Sequence, residues 1–295
     1  MRIQFLNGGL ANQAFQYIFS RYYMLSHPGQ VMYLDDSYFA QNTVHNGYEL
    51  EKVFGIRAPM LSECFSDDVW AFILAERKAG KSVPQVLSEN GIPMYMVSEV
   101  KEEYEKFNPF AGEVRAVPQG QYIPEIQDWP ENVYYHGYWI TKEWFQAYRN
   151  VFWQEFQFPE IEEPWNLEYA RQISSSESAA IHVRRGDYVT LKWAFDTDTY
   201  RMLVNQFRGM AFGRWKLFVF SDDIAWCREH AGEMGFDLFA QVVYVEGNGN
   251  GLNYRDMQLM SMCKGMILSN SAFCYLASLL NRNRKMVINP MERMV

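Results

Sequence analysis

The sequence predicts an α/β protein made of two Rossmann-like domains facing across a cleft, and three observations carry that prediction. Residues 179–288 alternate near-continuous apolar runs with amphipathic stretches of helical period, the pattern of parallel strands covered by helices on both faces. The N-terminus shows the same theme once, as strand, glycine turn and helix. Between the two lies Pro159–Pro164, PEIEEP, short, acidic and bounded by prolines, which suits a linker. The expected division is therefore residues 1–160 and 161–295.

The first strand is Arg2–Leu6, and Asn7–Asn12 is the turn after it. Phe15, Ile18, Phe19 and Tyr22 then recur at helical spacing, so a helix begins near Asn12 and presents free backbone N–H groups at its start. Gly8-Gly9 fits a ligand-binding turn and a plain tight turn equally. Val31–Asp35 reads as the second strand. From Asp36 to Pro130 the pattern loosens, with a helix over Ser66–Ala79 and a strand at Pro93–Val97. Val133–His136 is a strand leading into Gly137-Tyr-Trp139. Thr141 caps an aromatic-rich helix that runs towards Phe156. In the second half, strands are expected at Ala179–Val183, Trp215–Phe220, Gln241–Val245, Gly265–Leu268 and Lys285–Ile288. Helices lie between them at Thr197–Phe212, Ile224–Met234, Tyr254–Cys263 and Ser271–Asn281.

Ligands of such sheets bind outside the carboxyl ends of the strands. Four polar clusters fall there: His182–Tyr188 (HVRRGDY), Ser221-Asp222-Asp223, Glu246–Gly251 and Ser269-Asn270-Ser271. Arginine is rarely buried unpaired, so Arg184 and Arg185 at a strand end call for an anion. A diphosphate answers that need; so do Asp187 and Asp222, as a structural network. Asp222-Asp223 and Ser269–Ser271 also suit helix N-caps, and a cap does not preclude an anion at the same helix end. No spacing of His, Cys or carboxylates reads as a metal site, so arginines and N–H groups must offset a bound diphosphate.

The net charge of −8 argues against a general nucleic-acid surface and makes clustered arginines conspicuous. Cys64, Cys227, Cys263 and Cys274 show no CxxC or Cys/His spacing, which points to free thiols in a reducing compartment. No leader-type segment opens the sequence, and no apolar run approaches the ~20 residues of a membrane span. The expectation is a cytoplasmic protein, with peripheral contact at the inner membrane left open. Most of the many aromatics are expected in the cores, and Tyr38, Phe39 and Tyr48 are also candidates to stack on sugar.

HVRRGDY at His182–Tyr188 strongly resembles the signature of the α-1,2-fucosyltransferases, glycosyltransferase family 11 of bacterial type. GGLANQAFQY at Gly8–Tyr17, NGYELEKVFGI at Asn46–Ile56, GYW at Gly137–Trp139, FSDD at Phe220–Asp223 and SNSAF at Ser269–Phe273 are similar to further segments of that family. Ala11, Ala14, Ala272 and Tyr275-Leu276 depart from its pattern. The resemblance implies a GT-B fold with an N-terminal acceptor-side domain and a C-terminal domain binding GDP-fucose. It implies inversion at the anomeric carbon, a galactose-containing oligosaccharide or glycolipid as acceptor, and no metal or other cofactor. By motif position, Arg184 and Arg185 would bind the β-phosphate and departing oxygen, with His182 beside them. Asp222 or Asp223 would read guanine. Ser271, Ala272 and Phe273, with Asn270, would hold phosphate at a helix start, and Gly9 joins the donor-binding set. Asn12 would close over the sugar and counts with Arg184 and Asp187 as catalytic. Asp187 is the candidate general base, with Asp196 and Asp198 as alternatives.

Overall fold

The computed structural model describes residues 1–41, 46–99, 114–129 and 132–293. The chain forms two compact units, Met1–Gln157 and Phe158–Val295, each built on a five-stranded, all-parallel sheet. The α/β class with two parallel-sheet units is the one the sequence predicts. Part of the loosely patterned stretch, residues 100–113 and 130–131, lies outside the described residues.

In the first unit, β1 (Arg2–Phe5) leads into α1 (Leu10–Ser26), followed by β2 (Tyr33–Asp35), α2 (Ser37–Gln41) and α3 (Leu50–Phe54). Next come α4 (Asp67–Lys78), α5 (Val83–Glu89), β3 (Tyr95–Ser98), β4 (Val114–Ala116) and β5 (Val133–His136). Helices α6 (Lys142–Ala147) and α7 (Arg149–Glu155) close the unit. The strand order is β2-β1-β5-β3-β4. The single helix expected towards Phe156 is two, interrupted at Tyr148 (φ −129°, ψ 35°). Thr141 stands at the cap position, but its hydroxyl bonds the Glu143 carboxylate and caps no N–H.

The glutamines of the Gly8–Tyr17 segment explain its turn. Gln13 donates to the carbonyls of Gly8 (2.9 Å) and Gly47 (2.8 Å) and accepts from the Glu49 N–H (2.9 Å). Gln16 and Asn7 exchange a reciprocal pair of bonds. Both glutamines are fully buried, so their amides must be satisfied internally; Gln13 fastens the turn to the Asn46–Ile56 segment, and Gln16 fastens it to the Gly137 carbonyl (3.3 Å). Gly8 has φ +77°, and a Cβ there would stand 2.6 Å from Asn12 Nδ2.

The tryptophan of Gly137-Tyr-Trp139 is core. Trp139 is 1% exposed, stacks on Phe19 at 4.3 Å and donates from its indole to Gln4 (2.7 Å). Its φ of +56° is unusual for a bulky residue. Buried Glu99, at the end of β3, holds it there: its carboxylate accepts from the N–H groups of Tyr138, Trp139 and Gly120 at 2.7, 2.7 and 2.9 Å.

In the second unit, α8 (Pro164–Ser174) precedes β6 (Ser178–Val183), α9 (Gly186–Leu191), α10 (Thr197–Met210), β7 (Lys216–Ser221) and α11 (Ile224–Glu229). Then follow β8 (Gln241–Tyr244), α12 (Asn253–Met262), β9 (Gly265–Ile267), α13 (Ala272–Leu280) and β10 (Met286–Ile288). The order β10-β9-β6-β7-β8 places β6 at the centre with all six residues buried, and the order in which strands are added reverses between β6 and β9, which remain parallel. That reversal is the crevice where doubly wound sheets bind ligands. The core on one face joins Tyr200, Leu203, Val204 and Phe207 of α10 to Ile181, Val183, Leu217 and Val219.

The expected linker is tied down. Arg255 of α12, 3% exposed, donates to the carbonyls of Pro159 and Glu160 (both 2.7 Å) and pairs with Glu163 at 3.0 Å, while Pro164 opens α8. A buried guanidinium needs several acceptors, and this segment supplies them. All four cysteines are free thiols, and among the described residues no helix is long and apolar enough to cross a membrane.

Candidate functional site

The parallel register puts three of the four polar clusters side by side. His182 lies opposite Phe220 and Val183 opposite Ser221, so Arg184 and Arg185 emerge beside Asp222-Asp223. On the other flank β9 delivers Ser269–Ser271 to His182.

Arg184 is held by carboxylates. Its Nη2 lies 2.6 Å from Asp187 Oδ1, its Nη1 lies 2.8 Å from Asp222 Oδ2, and its guanidinium sits 5.2 Å from the Tyr188 ring centroid. Its backbone N–H donates to the buried Tyr200 hydroxyl (3.2 Å). The second oxygen of Asp222 accepts the Arg185 N–H at 2.8 Å. One carboxylate thus brackets both arginines, the network that the sequence left open beside the diphosphate. Gly186 is glycine for this reason: a Cβ there would stand 2.6 Å from Asp222 Oδ2.

Arg185 is placed differently. Its guanidinium lies 3.9 Å from the Trp226 ring centroid and makes no ion pair among the described residues, and its Nε is buried without a hydrogen-bond partner. Of the two adjacent arginines, one is neutralised in place and the other is not.

His182 is buried, with Nδ1 2.8 Å from Ser269 Oγ and its ring 5.8 Å from that of Phe273. Burial, reinforced by the Arg184 charge, drives its pKa from 6.5 down to about 3, so the imidazole is neutral at physiological pH. It offers a phosphate or base a hydrogen bond, not a charge. Ser271 caps α13, its hydroxyl accepting the Phe273 N–H at 3.3 Å, which leaves Ala272 and Phe273 in the first turn of a buried apolar helix. Asn270 donates to the Trp193 carbonyl (2.8 Å), and its Oδ1 is buried without a partner.

Two expected site features are otherwise engaged. Asp223 Oδ1 accepts the Trp226 N–H at 3.0 Å, so Asp223 is the N-cap of α11, the plainer of the two readings open for it. In the fourth cluster, Asn248 turns inward. Its amide exchanges bonds with Asn166 (2.8 and 3.0 Å) and donates to Asp256 (2.7 Å). Gly9 and Asn12 belong to the first unit, Gly9 at the N-cap of α1 and Asn12 in its first turn. Asp196 caps α10 through the Thr199 N–H, and Asp198 follows in that helix. Sequence reasoning missed Trp226 as a site residue; an aromatic three positions after a capping aspartate was the available signal. Among the described residues, no group of three or more His, Cys, Asp or Glu could hold a metal ion.

Residues 113–293 match the family model described as glycosyl transferase family 11. The chain is 26% identical over 287 residues to an α-1,2-colitosyltransferase of Escherichia coli, covering 92% of this chain and 84% of that one. It is 28% identical over 180 residues to the galactoside 2-α-L-fucosyltransferase SEC1 of Bos taurus, covering 54% and 47%. Among solved structures it resembles the fucosyltransferase NodZ from Bradyrhizobium, with TM-score 0.53 and 17% identity over 95% of this chain and 92% of that one. That likeness concerns the fold, two parallel-sheet α/β units of the GT-B type.

Proposed function

Because the chain belongs to glycosyl transferase family 11, we propose that it is an inverting fucosyltransferase moving L-fucose from GDP-fucose to a galactoside hydroxyl in α-1,2 linkage, in assembly of a surface glycan. The observation that carries the reading is the arginine pair at the carboxyl end of the central strand, beside the Ser271-capped start of α13. Guanidinium edges and helix N–H groups suit a diphosphate, and this strand end is where a doubly wound sheet receives one. In this reading the first unit takes the acceptor and the second the donor.

The reaction is one displacement. The acceptor oxygen bonds to C1 of fucose as the C1–O bond to the β-phosphate breaks, through an oxocarbenium-like state. The bonding electrons leave with GDP, and the acceptor proton passes to a base, for which Asp187 is the candidate. Charge grows on the departing phosphate oxygen, where Arg184 and Arg185 stabilise it more than they stabilise the bound donor. Neutral His182 and the Asn270 Oδ1 supply uncharged hydrogen bonds to donor groups. Asp222 sets the arginines, and its remaining capacity to accept suits the guanine edge. The reading has no metal in the reaction and takes the enzyme to be cytoplasmic, with inner-membrane docking as a variant that vesicle flotation tests.

A second reading concerns the donor sugar. The α-1,2-colitosyltransferase likeness favours transfer of colitose, from the same nucleotide, in place of fucose. Incubating the protein in EDTA with each GDP-sugar and a panel of galactose-ended oligosaccharides, then assigning the product linkage by NMR, separates the two. Arg184→Ala is expected to lower kcat at least ~10²-fold, as loss of an oxyanion donor does. Near-normal turnover by that variant, or transfer from neither GDP-sugar, would overturn the reading.

A further inference from the structure

Arg185 shows how the unpaired charge of the site is kept in place. Its guanidinium lies over the Trp226 ring at 3.9 Å, the shortest such approach among the described residues. Trp226 is itself held at its backbone and its ring. Its backbone N–H donates to Asp223 Oδ1 (3.0 Å), and the His230 ring stacks on the indole at 4.5 Å and 22°; Asp223 is fixed in turn by its own N–H, which donates to Ser221 Oγ (3.0 Å). His230 Nδ1 also lies 3.0 Å from the Trp226 carbonyl. The sequence-adjacent Arg184 instead spends its charge on Asp187 and Asp222.

We propose that Asp223 and Trp226 are positioning residues for Arg185, holding its guanidinium by the face so that its edge and uncompensated charge meet the donor diphosphate. The inference rests on the nucleotide-sugar reading above and adds to it a residue that no motif assignment included. Stacking on an aromatic face orients a guanidinium and leaves its in-plane N–H fork free, whereas a carboxylate partner would occupy that fork. An arginine stem also loses much side-chain entropy when ordered. Ordering it before the donor arrives removes that loss from the binding step. Asp223 acts one step further back, by fixing the first turn of α11 from which Trp226 projects.

The test uses the full chain and compares Trp226→Leu, Trp226→Phe, Asp223→Ala and Asp223→Asn by titration calorimetry with GDP and with pyrophosphate. Trp226→Leu is expected to weaken both ligands about tenfold, equivalent to about 1.4 kcal/mol, at unchanged stoichiometry. Trp226→Phe, which keeps a ring face, is expected within ~3-fold of the parent. Asp223→Asn, which still caps, should resemble the parent, and Asp223→Ala should follow Trp226→Leu. Parent-like affinity in Trp226→Leu overturns the proposal. So does a folded Trp226→Phe as weak as the leucine variant, because the ring face would then not matter. The pyrophosphate arm separates the two layers. A parent protein that binds pyrophosphate but not GDP refutes the guanosine donor, while the Trp226 comparison still decides the positioning role. A parent that binds neither refutes both.

Discussion

Gly186→Ala should disable the enzyme while leaving its fold nearly as stable as before. The residue opens α9, where alanine is better than glycine by ~1 kcal/mol on helix propensity alone, and its φ lies outside the left-handed region. Judged from the helix alone, the substitution stabilises. The added Cβ, however, would stand 2.6 Å from Asp222 Oδ2, closer than carbon and oxygen can approach, so the carboxylate must swing away. Asp222 then gives up its hydrogen bond from the Arg185 N–H and its pairing with Arg184 Nη1, both 2.8 Å. The first is a charge-assisted bond worth about 1.5 kcal/mol. The second joins half-exposed groups and is worth up to about 1 kcal/mol. Offset by the helical gain, the net loss is about 0.5 to 1.5 kcal/mol, a fall in Tm of about 1–6 °C for a chain of this size. The loss of arginine placement is far larger in its effect on rate, about 10²-fold in kcat/KM, because the donors no longer meet the departing oxygen. The assay is a double-mutant cycle on kcat/KM with Asp222→Ala. If alanine acts through the carboxylate, Gly186→Ala has no further effect once Asp222 is removed. Additive losses, or a fully active Gly186→Ala, would refute the reasoning.

Two other expectations concern folding. Glu99→Ala leaves the buried Trp139 N–H and the part-buried N–H groups of Tyr138 and Gly120 without their acceptor and releases the left-handed Trp139, so urea denaturation should show a loss of about 2–4 kcal/mol; a loss below about 1 kcal/mol would mean that Glu99 does not hold the turn. Burial pushes the partly buried Asp256 carboxyl up to about 7 from its ordinary 3.8. Between those values the folded chain keeps a proton that the unfolded chain has released, so this group lowers stability as pH rises. Asp256→Asn does not titrate. Its stability relative to the parent should therefore improve from pH 4 to 7, by at most about 1.4 kcal/mol per unit, and level off above. Parallel stability curves would exclude the shift.

What the sequence revealed followed the strength of its periodicities. The central strand carries an apolar run, Ala179–Ile181 and Val183, and α10 has a clean buried stripe of Tyr200, Leu203, Val204 and Phe207, so both were readable with ends correct to two residues. Helix α9 was not, because none of its residues is buried and Arg-Gly-Asp reads as a turn. Helix α8 was hidden by Pro164, which marks a helix start as readily as a linker end, and only Asn166 and Ile173 of its residues are buried. The site was legible as a set of motifs but not as a division of labour. Motif position ranks Arg184 and Arg185 alike. Only their surroundings, Asp187 and Asp222 against Trp226, tell the carboxylate-paired guanidinium from the unpaired one.

The grip of Arg255 on residues 159–163 also determines where the chain can be divided. A fragment starting at residue 161 would lack the carbonyls of Pro159 and Glu160, leaving a cation buried in α12 with only Glu163 and Gln258 to accept from it. The electrostatic edge of the second unit therefore lies upstream of its first helix, in a segment that by composition alone looks dispensable. Anyone isolating that unit for nucleotide titration should begin at Phe158, so that the fragment carries its own counterpart to Arg255.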